Sequence, residues 1–140
     1  MNSKLDTLVE VLELIGQLPS TTVEEHSLEG DVAEFSVRIG SHRSRWALQR
    51  ACQGANVGIK PFVRYKIPED GEIYPVLVCK ISASAAPFEP IRYGYLQLLG
   101  IHLVWYLYHV GILEKANASN RLSRWNAVEA LGRGRALPPN

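Results

Sequence analysis

Only two cysteines, Cys52 and Cys79, occur in this sequence, and neither sits in a C-x-x-C or other metal-binding spacing. That excludes a disulfide framework and a cysteine-ligated metal as organising devices. Both thiols are expected to be reduced and buried, and spacing alone leaves open whether they meet. Charge of one sign is also lacking. A net charge of +1 excludes a chain that binds nucleic acid through its bulk charge, and excludes an acidic tail. Catalytic signatures are missing as well. Cys52 can be matched with His42 and Cys79 with His26, but any cysteine can be matched with some histidine in this way. Glu24-Glu25 reads as solvated charge, and so do the acids of Pro68-Glu69-Asp70-Gly71-Glu72, which lack the acid spacing of a calcium loop. No catalytic residue, metal site or cofactor is assigned, and the chain is read as a non-enzyme. Its beginning carries Asp6, Glu10 and Glu13 through an apolar stretch, unlike a secretory signal. The sequon Asn117-Ala118-Ser119 is taken as chance, and the expected location is cytoplasmic.

What the sequence does have is enough apolar residue to build a core. At 140 residues, 46% hydrophobic and 21% charged, it suits one domain. Residues 1–131 are assigned to it, with 132–140 as a flexible tail. The charges are arranged in blocks. Met1–Glu34 holds one base, Lys4, against eight acids; Phe35–Lys66 holds seven bases and no acid. Such blocks can complement each other inside a dimer or face two different partners.

Leu5, Leu8, Val9, Leu12 and Ile15 recur with helical period, which predicts a helix over residues 3–17 stopped by Leu18-Pro19-Ser20. TTVEEHSL and VAEFSVRI flank Glu29-Gly30-Asp31 and predict a hairpin. Residues 43–55 predict a short helix with Trp46, Leu48 and Cys52 inward. FVRYKI and EIYPVLVCKI flank the turn Pro68-Glu69-Asp70-Gly71, whose proline and glycine suit a tight reversal. Pro75 lacks a ladder donor and predicts an edge or a bulge near the start of the second arm. A linker at 82–90 precedes a long helix reaching about Lys115. Ala116–Asn120 is expected to break it, before a short helix over 121–131 capped by Asn120. The expected fold class is α+β: an antiparallel sheet of two hairpins, covered by the N-terminal helix and a long apolar C-terminal helix.

That long helix carries no charge between Arg92 and Glu114. It is long enough to span a bilayer, but Gln97, His102, His109, Tyr106 and Tyr108 argue against a span. At 100° per residue two stripes separate. Leu96, Leu99, Leu103, Leu107 and Val110 suit the sheet. Tyr95, His102, Tyr106, His109 and Leu113, flanked by Trp105, suit a partner, for which a second copy of the chain is the first candidate. Gly100, Val104 and Gly111 form a side where another backbone could come close. His102 and His109 lie two turns apart, about 10 Å, too far to share one metal ion.

A second surface is basic. Arg43, Arg45 and Arg50, near Trp46, open a helix, and Lys60, Arg64 and Lys66 extend the set if they share its side. This is a candidate anion or nucleic-acid patch. The order of elements, together with ALQRACQGANVGIKPFVRYKIPEDGEIYPVLVCKI followed by a loop and a long helix, resembles type III secretion chaperones and the YbjN-like proteins over about Val23–Leu113. The resemblance implies a small non-enzymatic dimer that binds a protein. The expected function is a protein–protein interaction module, chaperone-like or an assembly factor. A nucleic-acid-associated module is the second reading, and a membrane-anchored subunit the third.

Overall fold

Val32–Ile39 alternates Ala33, Phe35 and Val37 with Glu34, Ser36 and Arg38, and that period of two decides which side of the sheet is dry. The computed structural model describes residues 4–55, 61–83 and 93–128. In chain order these form α1 (Lys4–Gly16), β1 (Thr21–Glu29), β2 (Val32–Ile39), α2 (His42–Ala55), β3 (Phe62–Lys66), β4 (Tyr74–Ser82), α3 (Tyr95–His109) and α4 (Lys115–Ser123). The fold is α+β, with one open antiparallel sheet in the order β1-β2-β4-β3. The two hairpins are therefore joined along β2 and β4, with Phe35 opposite Cys79 and Val37 opposite Leu77. That ladder stops at Leu77, so Pro75 sits where β4 has only β3 beside it.

Ala33, Phe35 and Val37 of β2, with Leu77, Cys79 and Ile81 of β4, form the floor of a single core. Leu8, Val11 and Ile15 of α1 join it, together with the leucine stripe of α3 at Leu96, Leu99, Leu103 and Leu107. Burying each such side chain contributes about 2 kcal/mol. α3 packs chiefly on α1 and α2, with β4 beneath. At 15 residues it is about 22 Å long, and no helix among the described residues is long and apolar enough to cross a membrane.

Among the described residues no helix lies over the other face of the sheet. Val76 and Val78 point that way and are nonetheless buried, outside the main core. Phe62 of β3 lies opposite Val78 and Arg64 opposite Val76, and the polar side chains of this face pair with one another. Lys66 of β3 reaches Glu25 at 2.8 Å and Glu24 at 3.7 Å, both on β1. Tyr74 donates to Glu24, and the Arg38 guanidinium lies 3.9 Å from the centre of the Tyr74 ring. Arg64 and Lys80 both pair with Glu34. A bridge between the two edge strands fits a strongly coiled sheet, which the irregularity between Val23 and Glu25 promotes. Elsewhere Lys4 pairs with Asp31, Arg121 with Glu13 and Arg124 with Glu10. Much of the acidic N-terminal block is thus balanced within one copy, and needs neither a dimer nor a separate basic partner.

Five expectations are corrected. α3 starts at Tyr95 and not near residue 91, because Gly94 is its extended N-cap and donates its N–H to the Gln97 side chain at 3.0 Å. It ends at His109 and not near Lys115. Gly111 takes φ +84°, and the N–H groups of Gly111 and Ile112 return to the carbonyls of Tyr108 and Leu107, a glycine-terminated helix end. Ala116–Asn120 does not break a helix but belongs to α4. Ala118 and Leu122, one turn apart, are both buried, and this burial outweighs the weak propensity of Asn and Ser. Residues 121–123 end α4 instead of starting a new helix, and residues 124–126 form a turn; the rest of the expected last helix, residues 129–131, the 132–140 tail, most of the 82–90 linker and Lys60 lie outside the described residues. Finally, Trp46 is 52% exposed. It stands two residues, or 200°, from Leu48 on the helix, so both cannot face inward.

Candidate functional site

The inward side of α2 is made of small residues: Ser44, Ala47, Ala51 and Ala55, with Leu48 and Cys52. Ser41 caps the helix by accepting the Ser44 N–H at 3.2 Å, and the Ser44 hydroxyl donates to the Pro19 carbonyl at 2.6 Å. Small side chains let α3 approach closely, and the two helices run antiparallel. Near one end Gly54 is so close to His102 that a Cβ there would stand 2.5 Å from its ring. Near the other end α2 carries larger residues and the helices leave a groove between them.

That groove is open and has a volume of about 720 Å³, within the range of about 300–1,000 Å³ usual for ligand clefts. Trp46 and Gln49 of α2 face Tyr106 of α3 and Val110 just beyond it, and His42, Arg43 and Arg45 line the α2 side. Trp46, Tyr106 and Val110 supply apolar surface, and Val110 is 46% exposed because α3 has already ended. Arg50 lies 4.8 Å from the centre of the Trp46 ring and holds it in place. Among the described residues no carboxylate pairs with Arg43 or Arg45. The groove therefore combines an aromatic floor with fixed positive charge that no described residue neutralises.

The residues expected to meet a partner are dispersed. Tyr106 lines the groove. Trp105 and His109 stack on each other, ring centres 4.8 Å apart and 8° from parallel, beside it. Tyr95 is half-buried at the start of α3. His102 and Leu113 are interior and face no partner. Burial pushes the His102 imidazole down to about 4, against the effect of its hydrogen bond to the Gly54 backbone, so the ring is neutral at pH 7. Gly100 is not open to another backbone either. The Trp125 ring fills its place, and a Cβ at Gly100 would stand 2.4 Å from that ring. Val104 is fully buried, and Gly111 ends the helix.

The basic set also divides. Arg64 and Lys66 lie on the helix-free face of the sheet, paired with Glu34 and with Glu24 and Glu25. They do not share a side with Arg43 and Arg45, because β3 and α2 present these bases on opposite sides of the sheet. The Lys66 partner holds the Glu25 carboxyl below its ordinary value, and the same contact raises Lys66. His42, Gln49 and Val110 were not anticipated as lining residues. The signal was present: 42, 46 and 49 recur at helical spacing on the side of α2 away from Leu48 and Cys52. Those two thiols and their surroundings are also resolved. Cys52 donates to Cys79, and this contact, with burial, pushes the Cys52 thiol up. Both cysteines are free and buried.

Among the described residues no three of His, Cys, Asp or Glu converge as metal ligands. No family model, no curated protein and no solved structure matches this chain.

Proposed function

We propose that this chain is a non-enzymatic protein–protein interaction module, chaperone-like or an assembly factor in its manner of working, and that the α2–α3 groove is its docking site. The observation that carries the reading is the groove's composition: an aromatic and aliphatic floor beside Arg43 and Arg45, which have no carboxylate partner among the described residues. Its occupant is a protein segment that presents acids next to aliphatic side chains. Apolar contacts with Trp46, Tyr106 and Val110 supply affinity, and the two guanidiniums supply register and selectivity. Splitting the basic set across two sides of the sheet removes the continuous stripe that tracks a nucleic-acid backbone, which favours protein over nucleic acid.

Fluorescence anisotropy with two labelled peptides tests this. One alternates acids with isoleucines in an order unlike any stretch of this chain, and the other has lysines in place of the acids. The acidic peptide is expected to bind and the basic one is not. Arg43→Glu/Arg45→Glu is expected to weaken binding about tenfold or more, and Trp46→Ala to weaken it further. Failure of the monomeric chain to bind the acidic peptide refutes the reading. So does tighter binding of a single-stranded oligonucleotide that weakens steeply from low to moderate salt.

A further inference from the structure

Most charges described in this chain have a partner within it, and one acidic cluster stands out because it does not. Glu69, Asp70 and Glu72 form the tip of the β3–β4 hairpin, all exposed, with no ion pair among the described residues. Two large aliphatic side chains flank them in water. Ile67 is 75% exposed and Ile73 is 59% exposed, values unusual for isoleucine, which is among the most often buried residues. Pro68 fixes one backbone angle of the turn, and Gly71 takes φ +101°. The tip therefore presents three acids between two isoleucines.

This is the chemistry the α2–α3 groove calls for. Three unpaired acids face two unpaired arginines, and two exposed isoleucines face Trp46, Tyr106 and Val110. The tip does not fill the groove of its own chain, because no tip residue lines it and both isoleucines remain exposed. We infer that the occupant of the groove is the β3–β4 tip of a second copy of this chain, exchanged reciprocally in a two-fold dimer; the inference rests on the docking role proposed above for the groove. Reciprocity follows from size. A stable interface needs on the order of 800 Å² from each partner, which a single turn does not reach, whereas a two-fold axis makes two equivalent insertions at once.

Sedimentation velocity over a range of concentrations tests it. The wild type is expected to be a dimer. Glu69→Lys/Asp70→Lys/Glu72→Lys, which reverses the tip, and Arg43→Glu/Arg45→Glu, which reverses the groove, are each expected to raise the dimer dissociation constant about tenfold or more. An equimolar mixture of the two variants is expected to regain the dimer mass, since in a mixed pair both contacts are again between opposite charges. Circular dichroism confirms that each variant is folded. If a reversal variant loses helical signal, Ile67→Ser/Ile73→Ser, confined to the exposed tip, is measured in its place, with the same loss expected. A dimer indifferent to these tip changes, or a mixture that stays monomeric, overturns the inference. A monomeric wild type whose groove still binds the acidic peptide overturns the second copy as occupant and leaves the docking role standing. A monomeric wild type that binds no acidic peptide removes both.

Discussion

The first half of α3 and the region around its end are equally free of charge, yet they face different neighbours. From Leu96 to Val104 the helix is enclosed by its own chain: α1 and α2 on the leucine side, the Trp125 ring in the notch at Gly100, and Gly54 against His102. From Trp105 onward the cover is one-sided: Leu107 is still fully buried, but Trp105, Tyr106 and Tyr108 are only half-buried and His109 and Val110 are exposed. A periodic stripe states which residues share a face. It does not state where along the helix the cover ends.

The largest contrast is expected between two members of one stripe. Leu103→Ala removes a fully buried side chain and is expected to cost about 2–5 kcal/mol in urea unfolding. Val110→Ala, on the same sequence stripe, lies beyond the covered half and is expected to cost less than about 1 kcal/mol. Equal costs would mean that the second half is as enclosed as the first.

The next contrast is titratable. In the unfolded chain the His102 ring takes its proton near pH 6.5; in the folded protein it does so only at about 4. Between these values the unfolded state binds the extra proton. Stability from this group is therefore intact above pH 6.5 and declines as pH falls toward 4, by about 3 kcal/mol in all. His102→Gln keeps a donor for Gly54 but cannot titrate, and is expected to flatten the stability profile between pH 4 and 6.5. If the variant keeps the wild-type slope, the slope comes from other groups.

How much of this was legible in the sequence depends on how local its cause is. Alternation at Phe35 and Val37 and the turn chemistry at Pro68 and Gly71 are properties of a few neighbouring residues, and they gave both hairpins with nearly their observed limits. The end of α3 is not legible because a glycine at 111 suits close packing as well as it suits a helix terminus, and only its positive φ makes it a terminator. α4 was missed because Asn117, Ser119 and Asn120 look like breakers until Ala118 and Leu122 find the core. The groove was half legible. Tyr106, Arg43 and Arg45 were named for two separate surfaces, and only the antiparallel packing of α2 on α3 puts them together. No local pattern could show that Arg64 and Lys66 are neutralised across the sheet by Glu34, Glu24 and Glu25.

A third test sharpens the enclosed half. Gly100→Ala places a methyl group 2.4 Å from the Trp125 ring, and overpacking of this kind is expected to cost about 1–3 kcal/mol, despite the better helix propensity of alanine. Trp125→Leu, destabilising alone, is expected to remove most of that penalty when combined with Gly100→Ala. A double-mutant cycle with no coupling would show that the ring does not occupy the notch.

The smallest effect is expected at the second histidine of the stripe, and its value lies in the comparison with the first. His109 is two turns from His102 and was assigned the same face, but it is exposed and stacks only on Trp105. An aromatic pair of this geometry is worth about 0.5–1.5 kcal/mol beyond its area, and solvent on one side puts His109→Ala near the lower end of that range. The substitution is expected to alter the fluorescence of Trp105, whose ring it uncovers. A stability loss as large as that from Leu103→Ala would place His109 inside the core and erase the difference between the two halves of the helix.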